Sequence, residues 1–225
     1  TVIEPKVGVY IEPELHAAKF SGGAAGSRAT TAFPGCVTVL DFKSLYPTIM
    51  RGFNLCYSTL CFEGSPWEGA PGVQWTAWGT NSAGRRYRFA LNRPGVLPQI
   101  LRELGEARTA AKRAMKRTDD PNMKAVLDGR QLALKVSANS IYGFTGVKRG
   151  FLPQKEIAET VTRNGRRMID ETQTFVETHY PGSEVVYGDT DSVMVLFRAA
   201  PPPEAPPGAP ARPVGLRESF RLGEE

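Results

Sequence analysis

Asp189 and Asp191 stand at alternate positions in Val185-Val186-Tyr187-Gly188-Asp189-Thr190-Asp191-Ser192-Val193-Met194-Val195, where two β-branched apolar runs flank a tight polar turn. The pattern predicts a β-hairpin with both carboxylates at its tip. Carboxylates presented there by buried strands suit hard cations such as Mg²⁺, which take few protein ligands and leave room for phosphate oxygens. Alone, an Asp-Thr-Asp turn reads more simply as a solvated loop. A third carboxylate upstream changes the balance. Cys36-Val37-Thr38-Val39-Leu40-Asp41-Phe42 is a buried-strand pattern carrying Asp41, and Lys43-Ser44-Leu45-Tyr46-Pro47 then enters a short helix with Pro47 in its first turn. Backbone amides around Ser44 and Leu45, beside a helix N-terminus, make a phosphate cradle. A strand-borne Asp next to such a cradle points to metal-assisted phosphoryl chemistry.

Two longer helices are expected between these carboxylates. Pro98 to Lys116 has a helical period, with Ile100, Leu101, Leu104, Ala107, Ala111 and Met115 as its buried face. Arg108 and Lys112 lie one turn apart on that helix and point the same way. Thr118-Asp119-Asp120-Pro121 ends it. A second helix runs from about Asn122 into Gly143, with Leu127, Leu134, Ala138 and Ile141 on one stripe and Lys135, Asn139 and Tyr142 on a neighbouring one. Singly, Lys135 is a surface charge, Asn139 a satisfied polar residue and Tyr142 a boundary aromatic. Together, and antiparallel to the Arg108 helix, they describe a positively lined helical hairpin.

Three segments, Asp41-Phe42-Lys43-Ser44-Leu45-Tyr46-Pro47-Thr48-Ile49-Met50, Lys135-Val136-Ser137-Ala138-Asn139-Ser140-Ile141-Tyr142-Gly143 and Tyr187-Gly188-Asp189-Thr190-Asp191-Ser192, resemble the polymerase motifs of family B DNA polymerases, in that family's order. Asn54-Leu55-Cys56-Tyr57-Ser58-Thr59-Leu60, Leu97-Pro98-Gln99-Ile100-Leu101 and Gly129-Arg130-Gln131-Leu132-Ala133-Leu134-Lys135 are similar to the delta-like replicative branch and to its relatives in large DNA viruses. The resemblance runs from Thr1 to about Phe197. It implies an α+β fold: a palm with an antiparallel sheet backed by helices, and an inserted antiparallel two-helix fingers subdomain. The palm would take residues 1–96 and 144–197, and the fingers 97–143. Asp41 and Asp191 become the principal ligands of two Mg²⁺ ions and Asp189 a secondary one, with the backbone carbonyl of Phe42 added. Arg108, Lys112, Lys135, Asn139 and the amides near Ser44 and Leu45 bind the incoming triphosphate. Tyr46 excludes a ribose 2′-hydroxyl, and Tyr142, Gly143, Tyr187 and Gly188 lie beside the nascent base pair and DNA. Primer-template DNA and deoxynucleoside triphosphates follow as partners, with accessory subunits and a sliding clamp met through other parts of the polymerase, and the nucleus as location.

The 225 residues carry a net charge of +5 and 41% hydrophobic residues, a globular composition with a modest bias toward polyanionic partners. Cys36, Cys56 and Cys61 show no Cys-x-x-Cys spacing, and an odd number argues against a disulfide framework. No apolar run is long enough for a bilayer and none resembles a signal peptide, so a soluble intracellular protein is expected. Thr1 to Tyr10 reads as a strand and turn around Pro5 and Gly8. The Gly, Ala, Ser and Thr content of Ser21 to Gly35 reads as a flexible insertion, a departure from the family's pattern.

Gln74 to Trp78 and Arg86 to Leu91 are expected to pair across a Gly79 to Gly84 turn, with Trp67, Trp75, Trp78 and Tyr87 near Arg85, Arg86 and Arg88. Such a cluster either stacks on nucleic acid or, more simply, forms a small apolar patch under a loop. Pro94 stands where the family suggests a basic residue. Phe144 to Pro153 reads as a Gly-rich loop with Lys148 and Arg149 near DNA. Lys155 to His179 is a helix burying Ile157, Val161, Met168, Thr172, Phe175 and Val176, with Arg163, Arg166 and Arg167 outward; His16 and His179 have no metal-like partners. The Pro-rich stretch Ala199 to Pro213 is expected to be extended or disordered (198–214 as a segment), and Gly215 to Glu225 to begin a helix. The chain reads as a palm-plus-fingers segment of a larger polymerase, which need not be active without a thumb. A non-catalytic nucleic-acid-binding relative and a different two-metal phosphoryl-transfer enzyme are the rival classes; the first predicts loss of carboxylates that are all present.

Overall fold

The computed structural model describes residues 5–10, 37–150, 152–199 and 211–224; His16, Cys36 and the insertion expected over Ser21 to Gly35 lie outside them. In chain order the elements are β1 (Pro5–Tyr10), β2 (Val37–Phe42), α1 (Leu45–Gly52), β3 (Leu60–Phe62), β4 (Gly79–Thr80), β5 (Arg86–Phe89), α2 (Val96–Arg117) and α3 (Pro121–Gly146). They continue with α4 (Lys155–His179), β6 (Glu184–Asp189), β7 (Ser192–Leu196), β8 (Arg198–Ala199), β9 (Arg212–Pro213) and α5 (Leu216–Glu224). The result is a mixed fold of helices and antiparallel sheets, in two compact units: Ser44–Asn164, and Val2–Lys43 with Gly165–Glu225.

The second unit is built on a four-stranded sheet of order β1-β2-β7-β6, every neighbouring pair antiparallel. Its β-branched residues alternate across the pleat, so Val193 and Val195 reach the core with Val176, Phe197 and Val214. Leu40, Ile169, Tyr180, Val185 and Leu222 pack around them. The turn expected at Gly8 is not formed. Gly8 sits opposite Val39 in a continuous ladder, because β2 offers hydrogen-bonding partners along the whole of β1. Thr38, fully buried, meets α5 through its Oγ1, 3.2 Å from the Ser219 carbonyl oxygen, which accepts, and 3.0 Å from the Ser219 hydroxyl.

Two apolar assignments on the helices need correction. Phe175 is 52% exposed and stacks on His179 at 4.0 Å, while its neighbour Val176 takes the inward position. Ile169 and Val176 are seven residues apart and share the sheet-facing side; Phe175 is rotated away by about 100°. At its ends the Pro-rich stretch takes the extended of the two expected forms: β8 and β9 pair, with Arg198 opposite Pro213 and Ala199 opposite Arg212. Pro is tolerated on so short an edge ladder. The residues between, 200–210, lie outside the description. The expected C-terminal helix is α5.

In the first unit α2 and α3 form an antiparallel hairpin joined by three residues, and α1 packs against both. Asp120 and Pro121 do more than stop α2. The Asp120 side chain accepts from the Asn122 N–H at 2.9 Å, and Pro121 occupies the first turn of α3. α2 starts earlier than its period predicted, so Leu97 and Leu101 are buried with Ala111 while Ile100 turns outward at 39% exposure. α3 continues through Phe144 to Gly146, three residues into the expected loop; buried Thr145 bonds the Tyr142 carbonyl at 2.7 Å, and its own carbonyl accepts from Gln154 N–H at 2.9 Å.

Beside these helices lies a three-stranded sheet of order β3-β5-β4. The hairpin expected there forms with its formal ladder displaced to Gly79 and Thr80 opposite Tyr87 and Arg86; Trp75 meets Ala90 in a single bridge. Asn81 explains the displacement. Its side-chain oxygen accepts from the N–H groups of Ala83 and Arg85 and closes the turn at that point.

Asn54, buried just after α1, is the polar centre of this unit. Its amide nitrogen donates to the carbonyls of Ala90 at 2.7 Å and Arg93 at 2.6 Å, and its oxygen accepts from Gly95 N–H at 2.9 Å. Its backbone is left-handed at φ 52°, a conformation Asn tolerates better than other side-chain-bearing residues. Cys56 and Cys61 are buried free thiols.

Candidate active site

The two carboxylates of the hairpin are placed by a two-residue connection, Thr190-Asp191, between β6 and β7. Thr190 takes a positive φ of 33°, as such short connections require because their twist must match that of the strands. Pairing then fixes a row across three strands: Asp41 on β2 faces Ser192 on β7, which faces Asp189 on β6. Directly opposed residues share a face of the sheet. Strand spacing places the α-carbons of Asp41 and Asp189 about 10 Å apart, with Ser192 between them. Asp191 is held at the end of this row by its backbone, whose carbonyl accepts from Phe42 N–H at 2.7 Å. Asp189 is exposed and receives a hydrogen bond from the Thr190 hydroxyl at 3.0 Å; Asp41 and Asp191 are half-buried.

This is an open acidic rim. Among the described residues no three acidic, His or Cys side chains gather into a ready-made metal cluster. The donor set nevertheless fits Mg²⁺, which is commonly bound through one or two carboxylates, with waters and substrate phosphates filling the remaining positions. Tyr187 faces Met194 and Gly188 faces Val193, beyond a bulge between Val185 and Tyr187. A Cβ on Gly188 would rest at ordinary contact distance, 3.7 Å from Ile169 Cγ2.

In the other unit, Ser44 precedes α1 in the left-handed region, φ 52° and ψ 53°, without a side-chain cap. For a residue bearing a Cβ this costs about 1–2 kcal/mol. Ser44 is exposed and its carbonyl accepts from Thr48 N–H at 3.0 Å, while Leu45, Pro47, Ile49 and Met50 anchor the helix in the core. Tyr46 is only half-buried and packs against Tyr142 of α3, with ring centroids 4.4 Å apart and the rings tilted by 46°. Burial, and then the charge that a neighbouring Tyr46 phenolate would carry, push the Tyr142 hydroxyl above its ordinary range.

Arg108 and Lys112 are half-buried on α2, whereas Lys135, Asn139 and Gly143 are exposed on α3. Arg108 Nε donates to Gln131 Oε1 at 3.2 Å, which sets the register of the hairpin. Lys135 and Asn139 therefore lie one and two turns farther from its tip, and Lys112 one turn nearer, at about 5.4 Å per turn. Gln131, itself steadied by Asp128 at 3.0 Å, was not among the expected site residues. Its signal is the spacing: 131, 135, 139 and 142 make one helical stripe. Ser192, between the carboxylates, was missed for a different reason, since only strand register reveals its place.

An antiparallel sheet with an acidic hairpin tip, in one chain with a helical hairpin bearing Arg, Lys and Asn, defines a class of protein suited to a polyanionic substrate. The profile of DNA polymerase family B matches residues 1–205. The chain belongs to that family. It is similar to the DNA polymerase delta catalytic subunit of Glycine max, with 46% identity over 214 residues (91% of this chain, 17% of the relative), and of Dictyostelium discoideum, with 44% over 186 residues (80% and 16%). It also resembles the family B DNA polymerase of the hyperthermophilic archaeon Pyrobaculum calidifontis, at TM-score 0.56 and 37% identity, over 71% of this chain and 20% of that one. The chain thus spans about one sixth of the length of the curated relatives cited, 17% and 16%.

Proposed function

We propose that this chain carries the nucleotidyl-transfer centre of a template-directed, replicative DNA polymerase of the delta type. The observation that carries the reading is the Asp41-Ser192-Asp189 row, closed by Asp191, in a chain of family B. The four-stranded sheet is the palm and the α2–α3 hairpin the fingers. Asp41, Asp191 and secondarily Asp189, with the Phe42 carbonyl, would hold two Mg²⁺ ions, which would supply charge neutralisation during nucleotidyl transfer. Arg108, Lys112, Lys135 and Asn139 bind the triphosphate and, with the amides of Ser44 and Leu45, orient it. Tyr142 and Gly143 support the nascent base pair, and Tyr187 and Gly188 lie along the primer-template. Contacts to DNA fall mainly on phosphates, so binding is salt-sensitive while base pairing selects the nucleotide. Accessory subunits, a sliding clamp and a nuclear location belong to the same reading, which is supported by the eukaryotic delta relatives. Among the described residues no helix is long and apolar enough to cross a membrane.

Primer extension by the full-length polypeptide, with deoxynucleoside triphosphates and Mg²⁺, tests the proposal directly. Extension that stops with chelation and returns with Mg²⁺ supports it; a folded protein that binds primer-template and never extends it removes it.

Two residues give finer expectations. Tyr46, held against Tyr142, closes the space beneath the nucleotide sugar in this reading. Tyr46→Ala lowers discrimination against ribonucleotides by about 10²-fold, read as the ratio of kcat/KM for the two sugars. An unchanged ratio removes Tyr46 from sugar selection. At Gly143 an added Cβ meets nothing within 4 Å, so Gly143→Ala stabilises α3 by about 0.5–1 kcal/mol in thermal denaturation. Slower extension by this more stable variant locates the nascent base pair at Gly143; extension at the normal rate places it elsewhere.

A further inference from the structure

Outside the proposed catalytic residues, the outer face of the three-stranded sheet carries an alternating stack of cations and indoles. Tyr87 and Phe89 of β5 point inward at 1% exposure each, which turns Arg86 and Arg88 to the opposite face. Arg86 lies over Trp78 at 4.8 Å; Arg88 lies between Trp78 at 4.3 Å and Trp75 at 4.5 Å. Trp67 closes the stack edge-on against Trp75 at 5.2 Å. Arg85 is not part of it, since its guanidinium covers Phe62 at 3.8 Å.

Cation–π stacking uses the face of a guanidinium and leaves its in-plane N–H groups for other partners. In Arg88 one of these donates to the Glu68 carbonyl at 2.6 Å, and the buried Nε–H has no hydrogen-bond partner among the described residues. In Arg86 one is paired with Glu63 at 2.6 Å, both side chains being about half-exposed at 45% and 48%. Such a surface ion pair is worth about 0–1 kcal/mol and is readily exchanged for a stronger anion. The stack thus holds guanidinium groups in fixed orientations, so that an incoming oxyanion has little side-chain ordering left to oppose it. It ends in a cation at Arg86 and in an aromatic ring at Trp67.

We propose that this Arg–Trp stack is a second nucleic-acid-binding surface, separate from the catalytic residues, and that its ligand is a single strand. A phosphate engages the edge of Arg86 in place of Glu63, Arg88 adds its charge from between the two rings, and an unpaired base stacks at the Trp67 end. An acidic peptide satisfies only the cations. A duplex keeps its bases stacked on each other and has none to offer Trp67.

All three tryptophans of these 225 residues lie in this stack, so the part of the full-length polypeptide's emission that Trp67→Phe removes reports on the end of the stack. The test titrates the protein with oligo(dT) in the absence of Mg²⁺ and nucleotides, following tryptophan emission together with the anisotropy of a labelled oligonucleotide. The expected result is a saturable emission change tracking binding. The log–log salt slope falls by about 0.7 in Arg86→Gln, and Glu63→Gln binds more tightly than the parent. Binding without an emission change, no binding, or the same emission change with a duplex or with polyglutamate overturns the proposal. Should Arg86→Gln fail to fold, Glu63→Gln decides it, because unaltered or weakened binding there contradicts the displacement of Glu63. None of these readings requires catalysis, so failure of the polymerase proposal leaves this one standing, and the reverse.

Discussion

Asp191→Ala lowers nucleotide addition by about 10³-fold or more while the protein stays folded. The size follows from the charge the carboxylate contributes: a site built to hold divalent cations on few protein ligands loses several kcal/mol of transition-state stabilisation when a principal one is removed, at 1.36 kcal/mol per factor of ten. The link that Asp191 makes to Phe42 is kept, because it uses the backbone carbonyl, which alanine retains. Thermal stability is expected to shift by no more than the ~1 kcal/mol common for a single substitution. Asp189→Ala is expected to be the milder substitution, since Asp189 is exposed and already spends one oxygen on the Thr190 hydroxyl. Single-turnover extension rates, with denaturation curves of the same preparations, make the measurement. Near-normal extension by folded Asp191→Ala would falsify the assignment of the site.

Asn54→Ala gives the largest loss of stability, about 3–5 kcal/mol. Three hydrogen bonds disappear, to Ala90, Arg93 and Gly95, and their backbone groups lose the side chain that satisfies them. Each buried polar group left unmatched costs about 1–3 kcal/mol. The left-handed backbone at φ 52° adds about 1–2 kcal/mol for alanine. Against a total stability of about 5–15 kcal/mol, such a loss is severe. Asn54→Gly separates the two causes, since glycine accepts the backbone but restores no bond, and should lie about 1 kcal/mol above the alanine variant in urea denaturation. Equal stability of both variants assigns the whole effect to hydrogen bonding; a wild-type midpoint for either removes Asn54 from its central place. Gly95 is bound into the same arrangement, because a Cβ there would stand 2.9 Å from both Asn54 Oδ1 and Cys56 Cβ.

The elements that repeat along the chain were legible in the sequence. Alternating β-branched residues gave the Asp189 hairpin, and 3.6-residue periods gave α2, α3 and α4 nearly to their ends. What escaped depends on contacts between distant residues. Ile100 and Phe175 sit at the edges of apolar stripes, where a shift of one helical position decides between core and solvent. The importance of Asn54 lies in partners 36 to 41 residues away, which no local pattern encodes. Ser192 acquires its two acidic neighbours only through strand pairing. The Arg–Trp stack was visible as composition but not as order, because the alternation of rings and cations arises where β4 and the bridge at Trp75 meet β5.

The order of strands in the carboxylate sheet has a kinetic consequence. β2 pairs with β7 across about 150 intervening residues, by the spacing of Asp41 and Ser192, and Thr38 joins Ser219 across 181. The unit between them contains the α2–α3 hairpin, two helices adjacent in sequence. Closing a long loop is entropically costly and slow, whereas helical hairpins assemble quickly. A ribosome synthesises the whole inserted unit before it makes β7, so most of this unit can condense while β2 still waits for a partner. Asp41 and Asp189 are therefore brought to either side of Ser192 only near the end of folding, and the acidic rim is assembled onto a chain whose other half is already formed.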